Sequence, residues 1–246
     1  MKISNERSKE KNSPLTENET DDLRSIIGKL NWLSTRTRPD LAYGVCELST
    51  KLKTGTVELL HKANKLIKQA KHNQIFLHFP KLDLDNVTVR CYADASFANL
   101  PDGGSQGGLF VELSSGNDTA PIEWRSKRLS RTPRSTLSAE TISMVDAMES
   151  CILIGKLMSE ILHNSDVAIP VEGVTDNYSL FEVAHSTTSA TEKRLRIEIA
   201  ILREAILQKN FELKWCNTAH QLADSLTKDG SDPRKLLEHI TGKIVV

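Results

Sequence analysis

Apolar positions recur at helical spacing over the first third of the chain and at mixed spacing beyond it. After Thr16, which with Glu19 has the pattern of a capping box, Leu23, Ile26, Ile27, Leu30 and Leu33 fall on one helical face. The segment TRPDLAYG begins a second helix, with Pro39 suited to a first turn. A third helix is predicted from about Thr56 to Lys71, with Val57, Leu60, Ala63, Ile67 and Ala70 on one side. From Gln74 the texture changes. Asn86–Ala93 alternates and is rich in β-formers, and Gly107–Ser114 and Pro121–Ser126 read as two further strands separated by the turn-forming SSGND. A long helix is expected over Ser135–His163, capped by Ser135 or Thr136, then a strand over Val167–Thr175 and a helix over Thr191–Asn210. A strand over Phe211–Cys216 and a short helix over Ala219–Thr227 complete the order βββαβαβα. Three sequential strands suggest an antiparallel meander and the later alternation suggests parallel neighbours. The expected fold class is α/β: a mixed five-stranded sheet with helices on both faces, preceded by a small helical segment.

Residues 1–15 are Lys, Glu, Ser and Asn with almost nothing to bury, so a disordered tail is expected there. The remaining boundaries are expected at 16–73, 74–230 and a C-terminal extension over 231–246. Acidic and basic residues balance at 32 each, so only local clusters of charge can inform about partners. The four cysteines, Cys46, Cys91, Cys151 and Cys216, lie far apart without zinc-finger spacing, which points to buried thiols in a reducing compartment. No apolar run approaches the ~18–20 residues of a membrane span, and the N-terminus lacks the apolar stretch of a signal peptide. An intracellular setting is expected, cytoplasmic or nuclear, with no membrane partner.

Four acids stand at element ends or inward-facing turns: Asp94 in YADAS, Glu140 in STLSAE, Asp176 in TDN and Asp224 in QLADSLTK. Two like charges ~4 Å apart repel by about 4 kcal/mol at an effective dielectric of ~20, so four carboxylates converge only if cations offset the repulsion. An all-oxygen cluster without His or Cys suits Mg²⁺ or Mn²⁺, and two such ions can activate water and stabilise the leaving oxygen of a phosphodiester. Spacing alone does not separate this reading from four unrelated acids serving as caps and surface charges.

An ordered set of motifs does separate them. The stretch KNSPLTENETDDLRSIIGKLNWLSTRTRPDLAYGVCELS resembles the segment joining polymerase to nuclease in copia-type retrotransposon polyproteins. YADASFAN, SQGG, WRSKRLSRTPRSTLSAE, TDNYSL and QLADSLTK then resemble, in the same order, the ribonuclease H domain of those polyproteins. The resemblance spans roughly residues 14–230. It implies the ribonuclease H-like fold, hydrolysis of the RNA strand of RNA–DNA hybrids, and two Mg²⁺ ions, with Mn²⁺ as the alternative. By that analogy Asp94 bridges both ions, Glu140 and Asp176 fix one, and Asp224 helps to hold the other. The products would carry a 5′-phosphate and a 3′-hydroxyl. Residues 16–73 would be the connection segment from the reverse transcriptase end.

Two features depart from related nucleases. His220 is the one candidate for a mobile His before the last Asp, and a solvent-facing role is the simpler reading. No YxDD-type polymerase motif occurs, so the chain is expected not to act as a reverse transcriptase by itself and to be a fragment, a processed product or a truncated copy. A missing reverse transcriptase domain is accordingly an expected partner, and the helical segment is a candidate interface for it.

The hybrid itself has candidate contacts. Arg125, Lys127, Arg128, Arg131 and Arg134 lie within ten residues, immediately before the helix of Glu140, and could touch phosphates without reading sequence. Lys193, Arg194, Arg196 and Arg203 form a second basic group. Discriminating RNA from DNA requires contact with 2′-hydroxyls, for which Ser96, Ser138 and Asn177 are candidates beside the acids. The competing reading is a catalytically silent, retroelement-derived nucleic-acid-binding or interaction module.

Overall fold

A computed structural model describes residues 3–72, 74–163, 167–187, 192–193 and 195–242. The chain divides into two compact units, Met1–Phe76 and Leu77–Val246.

The first unit is helical. The Thr16 hydroxyl accepts from the Glu19 N–H at 3.2 Å, and the Glu19 carboxylate accepts from the Thr16 N–H at 2.9 Å. This reciprocal cap starts α2 (Glu17–Arg36), which follows a short α1 (Asn5–Lys9). Pro39 opens a 3₁₀ turn, Pro39–Leu41, and α3 (Ala42–Lys51) continues from it; α4 spans Val57–His72. Leu23, Ile27 and Leu30 of α2 bury against Val45 and Leu48 of α3 and Leu59, Leu60 and Ala63 of α4. The helical spacing predicts Leu23, Ile27 and Leu30 of α2 and Leu60 and Ala63 of α4.

Residues 3–15 are not the featureless tail that composition suggests. The Arg7 guanidinium donates to both carboxylate oxygens of Glu19 (3.0 and 2.9 Å) and to the Pro14 carbonyl (2.7 Å). Ile3 and Leu15 pack on the core, and Leu15 N–H donates to the Gly55 carbonyl at 3.1 Å. A polar anchor, invisible to a count of apolar residues, fastens the segment.

The second unit holds a five-stranded sheet in the order β3-β2-β1-β4-β5. Strands β1 (Thr88–Ser96), β2 (Gln106–Ser115) and β3 (Asp118–Arg128) form the expected antiparallel meander. Strands β4 (Val171–Thr175) and β5 (Glu212–Trp215) add in parallel to β1. On one face Val89, Cys91, Ala93, Leu109 and Val111 pack against Met144, Met148 and Cys151 of α5 (Thr136–His163). Two further helices, α6 (Tyr178–His185) and α7 (Leu195–Leu207), bury Leu180, Ala184 and Leu202 in the same core. Of the four cysteines, Cys91 and Cys151 are buried and Cys46 and Cys216 half-buried.

Helix α6 was not anticipated. Eight residues long, it starts where TDN invites a reading as a site rather than as a cap. The expected helix over 191–210 is shorter, and Thr191 lies outside the described residues.

The second sheet face is closed by α8 (Arg234–Thr241), in the stretch expected to be an extension. Its Leu236, Leu237 and Ile240 are buried, and the His239 ring packs edge-on against Phe110 at 5.9 Å while hydrogen-bonding the buried Glu112 carboxylate. The anticipated helix over Ala219–Thr227 is instead two 3₁₀ turns, Thr218–His220 and Asp224–Leu226. Buried Gln221 explains the break: its side-chain amide donates to the Ala93 carbonyl (3.0 Å) and accepts from the Ala223 N–H (3.2 Å), pinning the turn to β1.

Candidate active site

Asp94 lies within β1 rather than after it, opposite Gly108 of β2. That glycine is required by a close approach. A Cβ there would stand 2.7 Å from Leu226 Cβ and 2.8 Å from Thr227 Cγ2, so its absence lets the 224–227 turn lie across the strand. Glu140 sits in the second turn of α5, whose start is capped by Ser135 through the Ser138 N–H (3.1 Å). Asp176 immediately follows β4, the parallel neighbour of β1.

These three acids converge: one carboxylate oxygen from each of Asp94, Glu140 and Asp176 lies within 4.8 Å of the others. Asp94 and Glu140 are buried and Asp176 half-buried. Burial, then the nearby Asp94 and Asp176 charges, push the Glu140 carboxyl up to about 9. Burial also raises Asp94, opposed by a hydrogen bond from the Thr227 hydroxyl to its Oδ2. Glu140 Oε2 is buried and, among the described residues, has no hydrogen-bond partner, an unusual state for a polar atom at 6% residue exposure. Three converging carboxylates, an orphaned buried oxygen and an all-oxygen donor set fit a hard divalent cation.

Asp224 stands apart from this trio. Its Oδ1 pairs with Lys228 Nζ at 2.6 Å, and its backbone carbonyl lies 2.9 Å from the Thr227 hydroxyl. It is nevertheless close enough for its charge to raise Asp94. His220 is exposed.

The proposed substrate contacts are more varied. Asn177 caps α6, its Oδ1 accepting from the Leu180 N–H at 3.0 Å, while Ser138 is buried and Ser96 is half-exposed at the end of β1. Among the basic residues, Arg125 pairs with Glu123 (2.8 Å), Lys127 with Asp146 (2.7 Å), Arg128 with Asp102 and Arg131 with Glu198. Arg134 is exposed and, among the described residues, outside any ion pair within 4 Å. In the second group, Arg203 donates to the Val183 carbonyl (2.7 Å) and Ser186 (3.2 Å) at the end of α6, and Arg194 lies outside the described residues.

Residues without a sequence signal of their own support the acids. Ser143 Oγ donates to the Asp94 carbonyl (2.9 Å), Asn99 donates to the Thr227 carbonyl (3.1 Å), and Ser126 donates to the Leu226 carbonyl (2.6 Å). The only sequence signal for the turn they brace was the small-and-polar run QLADSLTK.

No family model matches the chain. Over 228 residues it is 27% identical to the retrovirus-related Pol polyprotein from transposon RE1 of Arabidopsis thaliana, covering 91% of this chain and 15% of that protein. The chain is similar to a transposon Pol polyprotein over most of its own length. It spans less than a sixth of the length of that curated relative. Among solved structures, the foamy viral protease–reverse transcriptase in complex with RNA/DNA hybrid matches 94% of this chain and 28% of its own, with TM-score 0.52 and 13% identity. Ribonuclease H1 from Halobacterium salinarum overlaps 57% of this chain and 94% of its own, with TM-score 0.43 and 18% identity. At such identities the likeness is one of fold. The strand order β3-β2-β1-β4-β5 with its flanking helices is the mixed five-stranded α/β arrangement expected from the sequence.

Proposed function

We propose that the chain is a metal-dependent endonuclease that hydrolyses the RNA strand of RNA–DNA hybrids. The observation that carries this reading is the convergence of Asp94, Glu140 and Asp176 around the unpartnered Glu140 Oε2. Such a cluster repels itself and is poised for cations. Two Mg²⁺ or Mn²⁺ ions, when bound, would supply water activation and stabilisation of the leaving oxygen. Asp94, Glu140 and Asp176 would hold them, with Asp224 reaching the second once released from Lys228. The Thr227 hydroxyl would fix the Asp94 rotamer, and Ser143 and Gln221 would fix its strand.

Arg134, at the start of α5, is the basic residue best able to meet a phosphate without first breaking an internal pair. Arg125, Lys127, Arg128 and Arg131 would have to exchange partners. Half-exposed Ser96 and half-buried Asn177 are the candidates for 2′-hydroxyl contact, whereas Ser138 is buried and less accessible. The foamy viral relative in fold is bound to an RNA/DNA hybrid, which supports the same substrate class here. Residues 16–73 would then serve as a connection segment toward a reverse transcriptase domain, residues 74–230 together with α8 as the nuclease, and a cytoplasmic particle as the setting. No helix among the described residues is long and apolar enough to cross a membrane.

The test is cleavage of an end-labelled RNA–DNA hybrid with Mg²⁺, Mn²⁺ or EDTA, alongside Asp94→Asn. Cutting of the RNA strand alone should require metal and fall by about 10³-fold or more in the variant, since several kcal/mol of charge stabilisation are removed. Metal-dependent cutting that survives the substitution would overturn the assignment. Hybrid binding without cleavage would favour the silent binding module.

A further inference from the structure

We infer that Lys228 is a resident counter-cation of the carboxylate cluster, holding the metal-free site together and giving way when divalent ions enter. The inference rests on the metal-binding reading above and adds a residue to it. The Asp224–Leu226 turn returns the chain toward β1, and Thr227 and Lys228 follow in succession. Thr227 gives a neutral donor to Asp94, and Lys228 gives a positive charge to Asp224, with Nζ 2.6 Å from Oδ1. The two residues therefore address both flanks of the site from one turn.

The ammonium acts on more than its direct partner. Its charge is felt by Asp94, Asp176 and Asp224, and it opposes the upward push on Glu140. Of the basic residues near the cluster, Lys127 pairs with Asp146 and Arg131 with Glu198, exposed Arg134 pairs with no acid among the described residues, and Lys228 pairs with Asp224. Lys228 is thus the cation that offsets the convergence of the acids in the metal-free protein.

Its chemistry suits a temporary occupant. A lysine is a compact point charge on a flexible four-carbon stem, with no planar fork to lock it against one carboxylate. The Lys228 side chain is 48% exposed, so it can swing to solvent without opening the core. Asp224, 27% exposed, would then be free to turn toward an incoming ion. Metal binding must break this pair, so the lysine weakens metal affinity while stabilising the empty site.

The experiment measures Mn²⁺ binding by calorimetry to the full chain after EDTA treatment, for wild type, Lys228→Met, Lys228→Gln and Asp94→Asn. Metal-free thermal melts of the same proteins are recorded in parallel. Both Lys228 variants should bind Mn²⁺ about fivefold more tightly, the upper range for a half-exposed ion pair. Both should also melt at lower temperature without metal. If Asp94→Asn abolishes binding but the Lys228 variants bind like wild type, the counter-cation is refuted while the metal site stands. If wild type binds no better than Asp94→Asn, the metal reading falls and takes this inference with it. Folding is followed by circular dichroism, and one folded Lys228 variant of the two suffices for the comparison.

Discussion

Two charged clusters, one in each unit, are buried in opposite ways. In the helical unit, Arg38 and Asp40 of TRPDLAY pair at 2.7 Å with side chains only 5% and 1% exposed. Around them the polar valences are filled: Arg38 Nη1 donates to the Ala70 carbonyl (3.0 Å), and Gln69 Nε2 donates to Asp40 Oδ2 (2.9 Å). This is a staple joining the start of α3 to the end of α4. In the sheet unit, Asp94, Glu140 and Asp176 are brought together with one another, and one oxygen is left orphaned. A buried charge that has its opposite explains itself as architecture. A buried charge facing its like needs something the chain does not supply, which makes it a candidate functional site.

The comparison breaks most easily at the staple. Arg38→Ala leaves Asp40 buried without its partner and should destabilise the first unit by about 3–5 kcal/mol. Urea unfolding followed by far-ultraviolet circular dichroism measures this, because the unit is built of helices. The double change Arg38→Met with Asp40→Leu should recover most of the loss, since no lone charge remains. A loss below about 1 kcal/mol for Arg38→Ala would show that the pair is not structural, and the contrast would collapse.

The opposite sign is expected at Glu140. Burial and the Asp94 and Asp176 charges push its carboxyl from the ordinary 4.5 up to about 9 in the metal-free fold, so the native state keeps a proton that the unfolded chain releases. Stability from this group is complete below about pH 4.5 and is lost as pH rises toward 9. The expected decline is roughly 2–4 kcal/mol, less than the full shift because neighbouring acids titrate with it. Melts in EDTA from pH 5.5 to 9 should show this fall in wild type and a much flatter profile in Glu140→Gln. An equal slope in both proteins would mean that Glu140 is not the buried proton holder.

Which of these features can be read from the sequence depends on the range of the interactions that create them. The faces of α2 and α4 are legible because Leu23, Ile27 and Leu30, or Val57, Leu60 and Ala63, repeat locally. The acids Asp94, Glu140 and Asp176 are legible through an ordered set of motifs, although convergence itself is invisible to spacing. The Arg7–Glu19 anchor is not legible, because a composition count does not tell its donors and acceptors from solvated side chains. The closing role of α8 was missed because His239 meets Glu112 across 127 residues. Thr227 stands in a quoted motif, yet its role depends on a contact with Asp94 across 133 residues. Local pattern therefore yields elements, while the polar contacts that tune the site come from the folded chain.

The smallest effects come from glycines, and they sharpen the contrast in one experiment. Gly28 lies within α2, and a Cβ there would meet nothing within 4 Å, so Gly28→Ala should gain about 0.5–1 kcal/mol from helix propensity and reduced chain entropy. At Gly108 the same added methyl would press Leu226 Cβ at 2.7 Å and lie 3.1 Å from the Ala223 carbonyl. These atoms belong to the turn leading to Asp224, Thr227 and Lys228, and backbone cannot yield as a flexible side chain does. Gly108→Ala should therefore lose about 1 kcal/mol, at the low end of the range for overpacking, but reduce hybrid cleavage far more than that loss implies. Paired chemical denaturation and cleavage assays on both variants decide the matter. Equal activity in a folded Gly108→Ala protein would show that the turn can shift without consequence, and that its grip on Asp94 is packing alone.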